Sequence, residues 1–282
     1  MLQSDPVLAG SAPWRARLHL EFLKNPNQIG QTMAHSHHFG PLRIQKLLYP
    51  EGPQLCHAII VHPPGGIAGG DDLCIEAKIE QGAAALLTTP GATRWYGSTG
   101  ATATQRVTLD IQGDCEWLPL ETIVYDHARV NSDIQIDCHD QARMIGWDTL
   151  IFGRQSSGED FSEGDFHQTI SCRFNRRLLW QERTRVHGGD SLLDSPMGLQ
   201  GQRAASTVWA IRSANEPWTE DALEMLRAEA PDLAWSILWP RLLVGRQIGD
   251  PLVLKSRNAA AWALLRPLVF VRAAVEPRIW ST

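Results

Sequence analysis

His62-Pro63-Pro64-Gly65-Gly66-Ile67-Ala68-Gly69-Gly70-Asp71-Asp72 breaks the chain where the apolar run Leu55–Val61 ends. Four glycines and two prolines in eleven residues cannot continue a strand or open a stable helix. They specify a rigid entry, a turn with φ > 0 at one or more positions, and close backbone approach. A phosphate loop would be followed by Gly-Lys-Ser/Thr and a helix. Here Leu73–Glu80 alternates as a strand does, which argues against a nucleotide loop. The stretch reads as a glycine-rich turn joining two strands.

Outward from this turn, period-two alternation runs from Arg15 to about Ile211. It is clean in Ala101–Ile111, Ile134–Cys138, Leu178–Val186 and Ala204–Ile211. Turn signals recur between these runs at Glu51-Gly52-Pro53, Gln112-Gly113-Asp114, Ser157-Gly158, Ser162-Glu163-Gly164 and His187-Gly188-Gly189. The pattern predicts a mainly β body of many short antiparallel strands. About two short helices follow in the C-terminal third. Thr219 caps Glu220–Glu229, which Pro231 stops; Asn258 caps Ala259–Arg266, which Pro267 ends. No linker or repeat divides the chain, which predicts one domain over residues 1–282 with a loose N-terminal segment over 1–12.

Composition narrows the function. The 282 residues are 43% hydrophobic and 20% charged, enough for a substantial core. The net charge of −5 argues against nucleic acid as a partner. No run approaches the ~20 apolar residues of a membrane span, and the N-terminus lacks a signal-peptide pattern, so a cytoplasmic protein is expected. Cys56, Cys74, Cys115, Cys138 and Cys172 are dispersed single cysteines. They read as core residues, not as a disulfide framework or a zinc site.

No catalytic motif stands out. His35 and His37 point the same way in an extended segment, and imidazole suits nickel; the rival reading is three solvent-exposed histidines in a polar loop. Two acids are better placed. Met144, Gly146, Asp148, Leu150 and Phe152 share one strand face, and Leu178, Trp180, Glu182, Thr184 and Val186 share another. Asp148 and Glu182 thus lie on apolar faces. A buried carboxylate must be paired, protonated or wetted. They form an ion pair with an arginine such as Arg154 or Arg177, or they line a water-filled passage whose oxygen ligands release a divalent ion readily. Eleven tryptophans also exceed what a chain of this size needs. Trp218, Trp235, Trp239 and Trp262 in the C-terminal third are candidate partner contacts.

Six further segments belong with the glycine-rich turn. They are GPLRIQKLLYPEG at 40–52, LLTTPGATRWYGS at 86–98, EWLPLETIVYDHA at 116–128, LIFGRQSSGEDFSEGDF at 150–166, LLWQER at 178–183 and PRIWST at 277–282. In this order they resemble the urease accessory protein UreD (UreH) family over essentially the whole chain after the first dozen residues. One departure is Gly97, where the family usually carries a basic residue. The resemblance implies an elongated, mostly β, non-enzymatic scaffold or metallochaperone. Its implied partners are the urease structural subunits and UreF, with UreG held through UreF. Its implied cargo is nickel in transit, with no permanently bound cofactor. The rivals are a β-sandwich hydrolase using Asp148 and Glu182 as acid and base, and a passive adaptor that conducts nothing.

Overall fold

The computed structural model describes residues 14–281. The segment 1–12 expected to be loose lies outside the described residues. The chain opens with β1 (Arg15–Lys24), β2 (Thr32–Phe39), β3 (Arg43–Leu48), β4 (Cys56–Val61) and β5 (Asp72–Ile79). Next come β6 (Ala84–Thr88), β7 (Thr93–Trp95), β8 (Ala103–Ile111), β9 (Asp114–Leu118), β10 (Thr122–Val124), β11 (Arg129–Cys138) and β12 (Arg143–Phe152). β13 (Asp165–Phe174), β14 (Arg177–His187) and β15 (Ala204–Ile211) precede α1 (Glu220–Glu229), β16 (Ala234–Trp239), β17 (Leu242–Gly249) and α2 (Pro251–Phe270).

Two sheets result. The outer sheet has the order β14-β13-β11-β8-β5-β1-β2, and the central sheet β16-β17-β15-β12-β9-β6-β4-β3, with β10 on β12 and β7 on β10. From β4 to β13 the chain steps back and forth between them: β4, β6, β9 and β12 are central, while β5, β8, β11 and β13 are outer. Each strand therefore returns beside its predecessor in the same sheet by way of the opposite sheet. Parallel strands need such a crossover, usually a helix; here a strand serves.

The mainly β reading holds, but the antiparallel pairing does not. β4–β6–β9–β12 and β1–β5–β8–β11–β13 are parallel. Antiparallel pairs occupy the margins, at β1–β2, β13–β14, β3–β4 and β12–β15–β17–β16. Period-two alternation reports that one face is buried, whichever way the neighbouring strand runs. The short turns look like hairpin turns in sequence, yet many of them carry the chain across to the other sheet.

Burial follows the layering. The outer sheet is covered on one face, so β11 alternates buried and partly exposed residues. β6 and β9 are buried throughout because helices cover their far face. Leu86, Ile145 and Trp147 pack there against Leu226, Trp262 and Leu265. All five cysteines are free and buried, as expected.

Helix α1 follows its sequence signal, with Thr219 accepting from the Ala222 amide. Helix α2 corrects the expectation of a short helix capped by Asn258. It spans 20 residues, its cap is Asp250, and Pro251 occupies the first turn. Asn258 lies inside it, its side chain tied to Thr149, Ser206 and Gln247. Pro267 also lies inside, and its carbonyl accepts from Val271. Burial of Leu265, Val269 and Phe270 against the central sheet holds the helix through the missing amide.

Arg266 locks α2 down. Fully buried, it donates to Glu51 at 2.7 and 2.8 Å and to Glu116 at 3.0 Å, while the Trp262 indole donates to Glu116 at 2.6 Å. Burial works to raise Glu51, but hydrogen bonds from His57 and Arg266 outweigh it and hold the acid down at about 2. Burial dominates at Glu116 and pushes it up despite Arg266.

Candidate functional site

The register of the outer sheet aligns its polar residues. Gln105, Ser132, Gln168 and Thr184 are direct neighbours across β8, β11, β13 and β14. All four share the inward parity of Val107, Ile134, Ile170 and Trp180, which are buried in the core between the sheets. The central sheet answers with Asp148 on β12 beside Thr207 on β15, and Thr207 beside Arg246 on β17. A polar seam thus crosses an apolar sandwich. Each member interrupts an otherwise apolar face, at the cost of desolvating a polar group.

Within the seam, Asp148, Ser132, Gln168, Thr122 and Gln105 surround a void of about 40 Å³. It has room for a water-sized occupant and none for an organic substrate. Ile60, Ile75, Thr89, Thr93 and Gln105 line this void and also a larger cavity of about 340 Å³. That cavity lies under His62, Pro63, Gly65 and Gly66 and opposite Pro90 and Gly91. The two glycine-rich segments of the sequence therefore frame the wide end of the seam.

Asp148 is 7% exposed, and among the described residues no arginine forms an ion pair with it. Burial pushes its carboxyl up to about 7; a hydrogen bond from Gln168 opposes this, and the nearby Glu182 charge adds to it. Glu182 is half-buried and differently held. Its Oε1 accepts from Thr207 at 2.8 Å, and its Oε2 accepts from Arg246 Nε at 2.9 Å and Nη2 at 2.5 Å. Arg154, considered as a partner from sequence, is engaged by Glu159 instead.

At the other end, His62 is half-buried. Neither ring nitrogen is accessible to solvent. Burial lowers its pKa against the opposing influence of Asp71 and the Gly66 backbone. Asp71 is buried and accepts from the amides of Trp14 and Ala68.

The glycine-rich turn carries the positive φ that its composition specifies. Gly65 (φ +80°) and Gly70 (φ +93°) adopt the left-handed conformation, whereas Gly66 and Gly91 do not. Gly66 is required for space, since a Cβ there would lie 2.3 Å from the Tyr96 ring. At Gly97 a Cβ would come 2.7 Å from the Asp126 carbonyl, so a side chain there would have to displace the Asp126 backbone.

The other expected residues separate from the seam. His35 and His37 are exposed on β2, the edge of the outer sheet. Trp218, Trp235 and Trp262 are buried in the layer beneath the helices, which removes them as surface contacts. Three indoles fill the space between sheet and helices, so the aromatic excess is largely core. Trp239 is 45% exposed and donates to the Leu179 carbonyl on β14 at 2.6 Å.

Sequence parity found Asp148 and Glu182 but passed over Gln105, Ser132, Gln168, Thr207 and Arg246. The first four sit on the inward parity of their strands, a signal present in the sequence. Their alignment into one seam depends on strand register, parallel across β8, β11 and β13 and antiparallel across β12, β15 and β17, which the alternation does not carry.

These features define a class: a two-sheet β protein, helix-backed, with a polar seam through its core. Among the described residues no three His, Cys, Asp or Glu side chains come together as a metal site. The profile of the family described as UreD urease accessory protein matches residues 15–281, and the chain belongs to that family. It is 42% identical over 278 residues to a protein of Azoarcus sp. named urease accessory protein UreD, covering 97% of this chain and 96% of that one. A protein of the same name from Delftia acidovorans is 40% identical, covering 98% and 97%. One from Pseudomonas aeruginosa is 39% identical over the full length of both.

Proposed function

We propose that the chain is a non-enzymatic scaffold that passes nickel through its interior to apo-urease. The observation that carries this reading is the seam running from the glycine-rich cavity past Asp148 toward Glu182. An unpaired interior acid is tolerable where water or a cation meets it. Oxygen donors that do not converge into a three-ligand site suit release over retention. Membership of a urease accessory family supplies the recipient. In this reading the urease structural subunits and UreF bind the surface, UreG is held through UreF, and the complex works in the cytoplasm. Among the described residues no helix is long and apolar enough to cross a membrane.

The small void at Asp148 counts against the hydrolase reading, which needs an open cleft around the two acids. The passive adaptor differs from the scaffold in one measurable respect. Co-expression of urease genes with Asp148→Ala should leave the accessory complex assembled on urease while nickel content and urea hydrolysis fall. Full nickel loading by that variant would leave only the adaptor.

A further inference from the structure

We propose that the β13–β14 hairpin, with the exposed Leu238 and Trp239 beside it, is a docking face for an acidic partner protein. This rests on the scaffold reading, in which UreF binds the surface, and adds where that contact lies and what chemistry makes it. From Phe166 to Val186 the hairpin carries Arg173, Arg176, Arg177, Arg183 and Arg185 against a single acid, Glu182, which turns inward to Arg246. The whole chain has a net charge of −5, so the sign is locally reversed here. The ion pairs at this edge are Arg129–Asp165, His187–Asp165 and Arg246–Glu182. Among the described residues none of the five arginines has a carboxylate partner. An unpaired guanidinium keeps its fork of donors for carboxylates brought by another molecule.

The register gathers these charges along one edge. Arg183 stands opposite Thr169, Arg185 opposite His167 and Arg173 opposite Leu178, all on the outward parity of the outer sheet. The acids that share this face, Asp133 and Asp137, lie on β11, on the far side of β13 from the edge. Arg177 to Arg185 covers about 27 Å of edge strand at ~3.4 Å per residue. At the tip, Asn175 and Arg176 hold φ at +46° and +67°, the conformation of a two-residue type I′ turn. Such a turn favours glycine in its second place, so Arg176 is held there at a conformational cost. The Trp239 indole donates to the Leu179 carbonyl, which sets the exposed Leu238 and Trp239 beside the exposed Leu178. Charges on an edge strand deter pairing with another sheet. Deterrence alone does not account for exposed Trp and Leu side chains among them. Tryptophan and arginine are the residue types that dominate interface energies. Arginines flanking an apolar centre select carboxylates flanking apolar side chains, and repel a second copy of the same face.

The test co-expresses the full chain with UreF and measures the UreF recovered by pull-down. Reversing two exposed charges, Arg183→Glu with Arg185→Glu, should lower recovery at least about tenfold. Arg43→Glu with Lys46→Glu, exposed on β3, should leave it unchanged. Undiminished recovery after the β14 reversal, or an equal loss after the β3 reversal, overturns the proposal. A second measurement needs no substitution. Capture by the unsubstituted chain should fall as sodium chloride rises from about 0.05 to 0.5 M, because exposed charges are screened. Capture indifferent to salt overturns the proposal as well. These outcomes leave the scaffold reading standing, whereas an unsubstituted chain that recovers no UreF at any salt ends both. Single-stranded DNA retained by the unsubstituted chain and lost on the β14 reversal, with UreF capture intact, would assign the face to nucleic acid and overturn the proposal.

Discussion

Arg246 on β17 reaches Glu182 on β14 through two nitrogens, Nε at 2.9 Å and Nη2 at 2.5 Å, and so ties the rim of the central sheet to the edge strand of the outer one. The pair is partly exposed, so its contribution to stability is no more than about 1 kcal/mol. Its electrostatic effect on the seam is larger, because a guanidinium beside an acid competes with any incoming cation. Glu182→Gln should weaken nickel binding with little change in the urea midpoint. Arg246→Gln should strengthen nickel binding several-fold by freeing Glu182. Equal weakening by both, measured by nickel titration, would make the pair purely structural.

Arg266 is the opposite case, since it is fully buried between Glu51 and Glu116. Arg266→Met strands two carboxylates and should cost about 3–5 kcal/mol by denaturant unfolding. Replacing both acids by Gln in the same chain should recover part of that loss. The pH signature follows from Glu51, whose folded pKa is depressed to about 2 from 4.5. Its stabilisation is fully present above 4.5 and is lost as pH falls from 4.5 toward 2. A triple variant no more stable than Arg266→Met would show that the arginine acts by packing alone.

The glycine-rich loops separate three kinds of glycine. Gly91→Ala meets open space and should change stability by less than about 0.5 kcal/mol. Gly65→Ala must hold φ at +80°, which costs about 1 kcal/mol or more. Gly66→Ala drives a methyl into the Tyr96 ring and should be the most damaging of the three. Thermal midpoints in the order Gly91, Gly65, Gly66 are expected. A Gly91→Ala variant as unstable as Gly66→Ala would refute this geometry.

What the sequence revealed follows from what alternation can encode. Face parity placed Asp148 and Glu182 correctly, because a strand's inward set is local information. Strand direction was hidden, since Ile134 alternates identically whether β8 and β11 run parallel or not. The span of α2 is not legible because Asn258 resembles a cap by type, while its side chain is consumed by Thr149 and Ser206 on sheet strands far away in sequence.

Among the C-terminal tryptophans, Trp239 alone retains a large exposed surface, so the proposed contact with UreF narrows to it and the neighbouring exposed Leu238. Trp239→Ala should weaken UreF pull-down with the fold intact. Trp235→Ala, in the buried layer, should cost about 3–5 kcal/mol and reduce soluble yield. Undiminished UreF capture by Trp239→Ala would move the interface elsewhere.

Asp148 offers the sharpest test, because a cargo role and a structural role predict opposite signs. Its folded pKa, about 7, stands above the ordinary 3.8. Between these values the folded state keeps a proton that the unfolded state has released, so stability declines as pH rises from 3.8 to 7 and levels off above 7. Asp148→Asn removes the charged form and should raise the thermal midpoint at pH 8 while flattening that slope. The same substitution should lower nickel delivery to urease, since an amide is a poorer ligand than a carboxylate. Nickel delivery by the unsubstituted chain should itself weaken below pH 7 as Asp148 protonates. Asp148→Leu should do more harm than Asp148→Asn, by excluding water from the void of about 40 Å³ as well as removing the charge. A group kept for stability would behave in reverse, with Asp148→Asn less stable at pH 8 and complex assembly lost together with nickel. Parallel measurement of thermal midpoint, assembly and nickel content therefore decides between a strut and a stepping stone, and a destabilised Asp148→Asn at pH 8 would end the passage.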